Sequence, residues 1–508
     1  MTPDHRTSRR RRYLSLGAFL ILALGPSAWA VGGVIAAGLL ALAVSGAMTL
    51  RAARRRSREA AGDEAGTGQG ARRLGVDPAG RPVRVTDRQL AAHALIVGAS
   101  GAGKTTTMLS ILADQIARGA PVVAIDMKGS PAFARSLREA AHAAGRGLRV
   151  WSPDGPGLWN PLAHGNATAL KDKLIAAERF SEPHYMRAAE RYLQTAFQVL
   201  HASHPGRATT LDEVVAVMEP RRLAASLRRV PPALGDRVQD YLAGLTPDQL
   251  SAVRGVGTRL ALLSESSAGR FLTGGDPARE IDLGTALEGG DVVLFSLNSS
   301  VYGKLAAQLG GLAIQDVVSA TGRRLDRGGE VREALPQATV AIDEFSALGA
   351  DNVLALLARG REAGVSAIVA TQELTDLERA APGFRDQVLG IIAVKIFHRQ
   401  DVPASAHTVA QMTGTERVWE RTEQIRSPLG PPGSSLGTRR QVERFIVDPN
   451  EIKTLRTGQA VIVSKTPSTR IARVRVTPPR VVTGPAAHPP ARGVSGAGRD
   501  QPAPGVTR

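Results

Sequence analysis

At 508 residues, 43% of them hydrophobic and 22% charged, the chain has room for about three domains and enough apolar material for sizeable cores, which excludes wholesale disorder. It has no cysteine, so disulfides, thiolate metal sites and cysteine nucleophiles are excluded. The net charge of +18 collects at the ends, with +9 in residues 1–58 and +6 in residues 468–508, so the interior is not marked as a nucleic-acid surface by charge alone.

From Tyr13 to Leu50 no charged residue occurs. A single helix of that length would run about 57 Å, against a hydrocarbon core of about 30 Å, so one crossing is too few. Gly25-Pro26-Ser27 supplies a turn near the middle. Arg9 to Arg12 precede the run, and Arg51, Arg54, Arg55, Arg56 and Arg58 follow it. Basic flanks prefer the cytoplasm, and two of them require an even number of crossings. The expectation is an anchor over 1–58 with two transmembrane helices, about 13–29 and 31–50, in the cell membrane, leaving the rest of the chain cytoplasmic. A secretory signal peptide ending in Ala28-Trp29-Ala30 is the rival reading, and the second apolar segment directly after it argues against it.

Residues 59–74, rich in Gly, Ala and charge, read as a linker, and Val76 to Val85 as a small hairpin around Ala79-Gly80. His93-Ala94-Leu95-Ile96-Val97 reads as a buried strand running into a glycine loop, with a helix from Lys104 through Ile116. Pro121 to Asp126 is a second short apolar strand, and such alternation indicates a parallel sheet covered on both faces. After Asn160-Pro161-Leu162 the pattern turns helical, from about Ala163 to Leu272, and strands return at Val292–Leu297, Thr339–Ile342, Ala367–Thr371 and Ile391–Phe397. The expected fold is therefore α/β, one sheet domain over 75–162 and 275–478 with an inserted all-helical domain at 163–274. The tail, 479–508, rich in Pro, Gly and Ala, is expected to be disordered.

The loop Gly98-Ala99-Ser100-Gly101-Ala102-Gly103-Lys104-Thr105, followed by Thr106, fills the Walker A pattern between a strand and a helix. Its glycines permit the turns that aim backbone N–H groups at phosphate oxygens, and the helix N-terminus favours an anion. Lys104 is expected at the β- and γ-phosphates, and the Thr105 hydroxyl on Mg²⁺. Val340-Ala341-Ile342-Asp343-Glu344 reads as Walker B, with Asp343 holding Mg²⁺ and Glu344 polarising the attacking water. Gln372, after the strand ending at Thr371, is placed to sense a γ-phosphate. Arg361 lies 18 residues past Asp343 on an expected helix, where the residues alone suit a solvated charge. Lys128 suits either a nucleotide contact or a strand cap. Arg221, Arg222, Arg228 and Arg229 form a basic cluster that reads mainly as a solvated face, and His201 and His204 read as surface residues.

The hairpin, GASGAGKT, Asp126-Met127-Lys128-Gly129, Asn160-Pro161-Leu162, the helical insertion, AIDEFSALG, ARGREAG and ATQEL together resemble the type IV secretion coupling proteins, the TraG/TraD-like ATPases of conjugative DNA transfer. Met127 departs from the proline usual in that family. The resemblance implies that 75–162 and 275–478 form a RecA-like P-loop ATPase domain using ATP and Mg²⁺, with Gln372 in the catalytic site and Arg361 as a finger entering a neighbouring subunit. It also implies a homo-hexameric ring around single-stranded DNA, with the relaxase–DNA complex (relaxosome), the secretion-channel proteins and the membrane as partners. A duplex-DNA translocase of the FtsK/HerA kind and a nucleotide-gated receptor for protein effectors are the alternatives.

Overall fold

The computed structural model describes residues 70–178, 182–327, 329, 335–423 and 437–479. The expected membrane hairpin lies outside these residues, as does the tail from residue 480 onward. Among the described residues no helix is long and apolar enough to cross a membrane.

Thirteen strands are described. They are β1 (Ala71–Val76), β2 (Pro82–Thr86), β3 (Ala94–Val97), β4 (Val122–Asp126), β5 (Leu148–Trp151), β6 (Val292–Ser296), β7 (Ala338–Asp343), β8 (Val365–Thr371), β9 (Val394–Phe397), β10 (Thr415–Glu423), β11 (Gly437–Phe445), β12 (Gln459–Ser464) and β13 (Arg470–Val476). All but β10 and β11 form one sheet in the order β2-β1-β13-β12-β9-β3-β8-β7-β4-β6-β5. The run from β9 to β5 is parallel, and β12, β13 and β1 extend it antiparallel. β1 begins inside the segment expected as linker, and a turn held by Asp77 joins it to β2.

Alternate side chains of one strand feed two separate cores. In β3, Leu95 and Val97 face one core while Ala94 and Ile96 face the other, the division a strand of period two makes when both faces are covered. Helices α1 (Lys104–Ala117) and α2 (Pro131–Ala143) bury Met108, Ile111, Leu112, Phe133 and Leu137 on the second face. Between β5 and β6 run α3 (Ala167–Ala177), α4 (Pro183–Ser203), α5 (Leu211–Val217), α6 (Pro220–Ser226), α7 (Pro232–Ala243) and α8 (Pro247–Ser264), which pack on the first face. The same core takes in α9 (Leu283–Glu288), α10 (Lys304–Asp326) and α11 (Ala350–Gly360). The fold is thus the expected α/β sheet with an all-helical insertion.

The segment Trp159-Asn160-Pro161-Leu162 joins sheet and insertion. The Asn160 side chain accepts from the Leu162 N–H at 3.0 Å and donates to the Thr209 carbonyl at 3.0 Å, fixing the turn. Trp159 packs edge-on against Trp151 and Phe295 and donates its indole N–H to Asp316 at 2.9 Å. The other Asp316 oxygen pairs with Lys173 of α3 at 2.8 Å, and Lys173 also donates to the Pro161 carbonyl at 2.7 Å. A buried charge pair with further hydrogen bonds to the Pro161 carbonyl and the Trp159 indole thereby ties α3 to α10.

Candidate nucleotide site

The parallel strands align their C-terminal ends. Asp126 pairs in register with Asp343, Asp343 with Ala370, and Val97 with Thr371, so the loops after β3, β4, β7 and β8 open along one sheet edge. In such sheets ligands bind outside the carboxyl ends of the strands.

The loop from Gly98 to Gly103 leaves β3 and enters α1 with Gly101 at φ +70° and Gly103 at φ +113°, conformations disfavoured for a residue with Cβ. The Lys104 ammonium crosses the loop to the carbonyls of Gly98 at 2.6 Å and Ala99 at 3.3 Å. Burial holds its pKa below the ordinary lysine value, partly offset by Glu344. Thr105 Oγ1 donates to Asp343 Oδ2 at 3.4 Å. The other oxygen, Asp343 Oδ1, is buried and has no hydrogen-bond partner among the described residues. Burial raises the Asp343 carboxyl above the usual range, against the pull of Lys128 and Lys104. Glu344 sits at φ +58°, a left-handed conformation that costs roughly 1–2 kcal/mol for a residue with Cβ. Gln372 Nε2 donates to Glu344 Oε1 at 3.0 Å.

Lys104, Thr105, Asp343, Glu344 and Gln372, all named from the sequence, therefore meet at one place, with Ala99, Ser100, Ala102 and Thr106 in the loop and at the head of its helix. Arg361 does not join them. It follows α11 and precedes β8, at the opposite edge of the sheet, where it is exposed beside Gln337 and Glu362. Arg221, Arg222, Arg228 and Arg229 are exposed on the insertion. His201 and His204 are half-buried along a groove with Arg207 and Thr209, less open than the sequence suggests. No cluster of His, Cys, Asp and Glu suited to a metal occurs among the described residues.

The sequence reading missed the support behind the loop. His398, directly after β9, is fully buried, with Nε2 2.9 Å from Thr107 Oγ1 and Nδ1 2.8 Å from the Gln459 carbonyl. Thr457 Oγ1 donates to the Gly101 carbonyl at 3.1 Å, and the Gly458 N–H donates to the Ala102 carbonyl at 2.9 Å. A Cβ on Gly98 would lie 2.6 Å from His398 Cβ. A polar residue ending an apolar strand, the same cue that marks Asp126 and Asp343, was present at His398.

Residues 337–457 match the family described as the TraM recognition site of TraD and TraG. No curated protein matches the chain by sequence. Among solved structures, the unbound bacterial conjugative coupling protein TrwBdeltaN70 is similar with a TM-score of 0.56 at 16% identity, over 80% of this chain and 88% of that one. The plasmid coupling protein TrwB in complex with ADP and Mg²⁺ gives 0.55 at 16% identity, over 80% and 90%. VirB4 of Thermoanaerobacter pseudethanolicus gives 0.52 at 15% identity, over 81% and 97%. Residues 337–457 thus match the TraG and TraD recognition domain, and over about 80% of its length the chain shares the fold of the coupling protein TrwB.

Proposed function

We propose that this chain is a membrane-anchored ATPase that couples relaxase-bound DNA to a type IV secretion channel and drives its transfer by hydrolysing ATP. The observation that carries the reading is the convergence of the Lys104 ammonium, the Thr105 hydroxyl, the Asp343–Glu344 pair and the Gln372 amide at one sheet edge. Mg²⁺–ATP fits these residues. The open Asp343 Oδ1 and the Thr105 hydroxyl are hard oxygen donors suited to Mg²⁺, and the glycine turns leave room for phosphates beside the loop amides. Bound Mg²⁺ neutralises charge on the phosphate oxygens. Lys104 holds the phosphates, Glu344 accepts a proton from the attacking water, and Gln372 orients Glu344. The exposure of Arg361 at the far edge suits a residue that completes a neighbouring subunit's site in a homo-hexamer. The basic N-terminal flanks suit a two-pass anchor in the cell membrane with the ATPase cytoplasmic.

The test is ATP hydrolysis by the full chain in detergent, with and without single-stranded DNA. DNA is expected to stimulate turnover, and Lys104→Ala to abolish it. Arg361→Ala is expected to abolish turnover while nucleotide still binds. Normal turnover by Arg361→Ala would overturn the finger role, and a wild-type chain with no affinity for Mg²⁺–ATP would overturn the whole reading.

A further inference from the structure

The turn after β4 places a second cation at the site. Both Asp126 oxygens are consumed in building that turn, accepting from the Lys128 N–H at 2.9 Å and the Ser130 N–H at 2.6 Å. Gly129 stands at φ +63°, and a Cβ there would lie 2.7 to 2.9 Å from Asn298 atoms. Asn298 is itself left-handed at φ +48°, and the Ser299 N–H donates to the Met127 carbonyl at 2.8 Å. The backbone is thus fixed on both sides while the Lys128 side chain remains 42% exposed.

That side chain reaches across to β7. Its ammonium lies 2.7 Å from Glu344 Oε1 and 3.7 Å from Asp343 Oδ2. Gln372 also donates to Glu344 Oε1, so the carboxylate expected to take a proton from water is engaged by two donors. A carboxylate paired with an ammonium is a weaker base than a free one, and this ammonium stands on an exposed, four-carbon stem.

We propose that Lys128 serves two partners in turn, the Glu344 carboxylate that it reaches here and the terminal phosphate of a bound nucleoside triphosphate. The exchange frees Glu344, left on Gln372, only when a third phosphate is present, and so couples activation of the base to triphosphate recognition. It rests on the nucleotide reading above and adds a residue to it.

The test is Mg²⁺-dependent binding of a non-hydrolysable ATP analogue and of ADP to the full chain. One charge-assisted contact to the third phosphate corresponds to about 10- to 100-fold in affinity. Lys128→Ala is expected to weaken the triphosphate analogue by at least about 10-fold and ADP by less than about 3-fold, and Lys128→Arg to recover most of the loss. Glu344→Gln, which removes the competitor, is expected to tighten the analogue in a chain with Lys128 and not in a Lys128→Ala background. Equal losses for analogue and ADP, or equal tightening in both backgrounds, would overturn the exchange. A wild-type chain that bound neither nucleotide would instead remove the reading beneath it.

Discussion

Replacing Lys173 by Met should destabilise the chain heavily, although the residue lies on the helical insertion away from the nucleotide loop. The side chains of Lys173 and Asp316 are 1% and 7% exposed, and each is satisfied, Lys173 by the Pro161 carbonyl and Asp316 by the Trp159 indole. Met keeps the length and removes the charge, leaving the Asp316 carboxylate buried with only a neutral donor. Breaking a buried pair from one side costs about 3–5 kcal/mol. Unfolding gains about 2.1 cal/mol/K per residue, so roughly 400 folded residues gain about 0.8 kcal/mol/K and the loss lowers the melting midpoint by about 4–6 °C. Differential scanning calorimetry of Lys173→Met, Asp316→Leu and the double variant reads this directly. The double variant, which leaves no orphaned charge, should recover most of the loss. A single variant within about 1 °C of wild type, or a double variant worse than both singles, would refute the buried-pair reasoning.

Gly103→Ala forces a Cβ at φ +113° to within 3.0 Å of the Gly458 nitrogen. The strain of about 1–2 kcal/mol should weaken nucleotide binding roughly 5- to 30-fold in a fluorescent-nucleotide titration, and unchanged affinity would count against the loop geometry. Acid should weaken the fold through His93 and His398, both buried and pushed down to about 4 by that burial. Below the ordinary value near 6.5 the unfolded chain takes up protons that the folded chain refuses. Their contribution is therefore complete above pH 6.5 and is lost as pH falls toward 4, by up to roughly 3 kcal/mol per histidine. His398→Asn should show a shallower fall of melting midpoint over that window than wild type, and parallel falls would refute the assignment.

The fold was legible where one residue type settles local structure. The glycine loop, the apolar strands and Asp343-Glu344 announce themselves because phosphate binding and a buried parallel sheet each demand a narrow composition. The antiparallel strands β12, β13 and β1 were not read, since arginines interrupt β1 and β13 and a short apolar run such as that in β12 suits strand and buried helix alike. β5, Leu148–Trp151, is a four-residue strand with an arginine in it and reads equally well as loop. The ribbon of β10 and β11 is charged on both faces, with Trp419 67% exposed, so no alternation marks it. His398 and Thr457 reach the nucleotide loop from about 300 and 350 positions away, and proximity of that kind follows from strand order alone. Lys128 was ambiguous in sequence because a lysine near a strand end serves either role, and only the pairing of β4 with β7 brings it beside Glu344.

The phosphate loop borrows its stiffness. Two hydrogen bonds tie its rear directly to Thr457 and Gly458, and two more run from Thr107 through His398 to Gln459, all at the junction of the matched 337–457 region with β12. A shift of this peptide by even an ångström would slacken the cradle from behind, leaving its open face untouched.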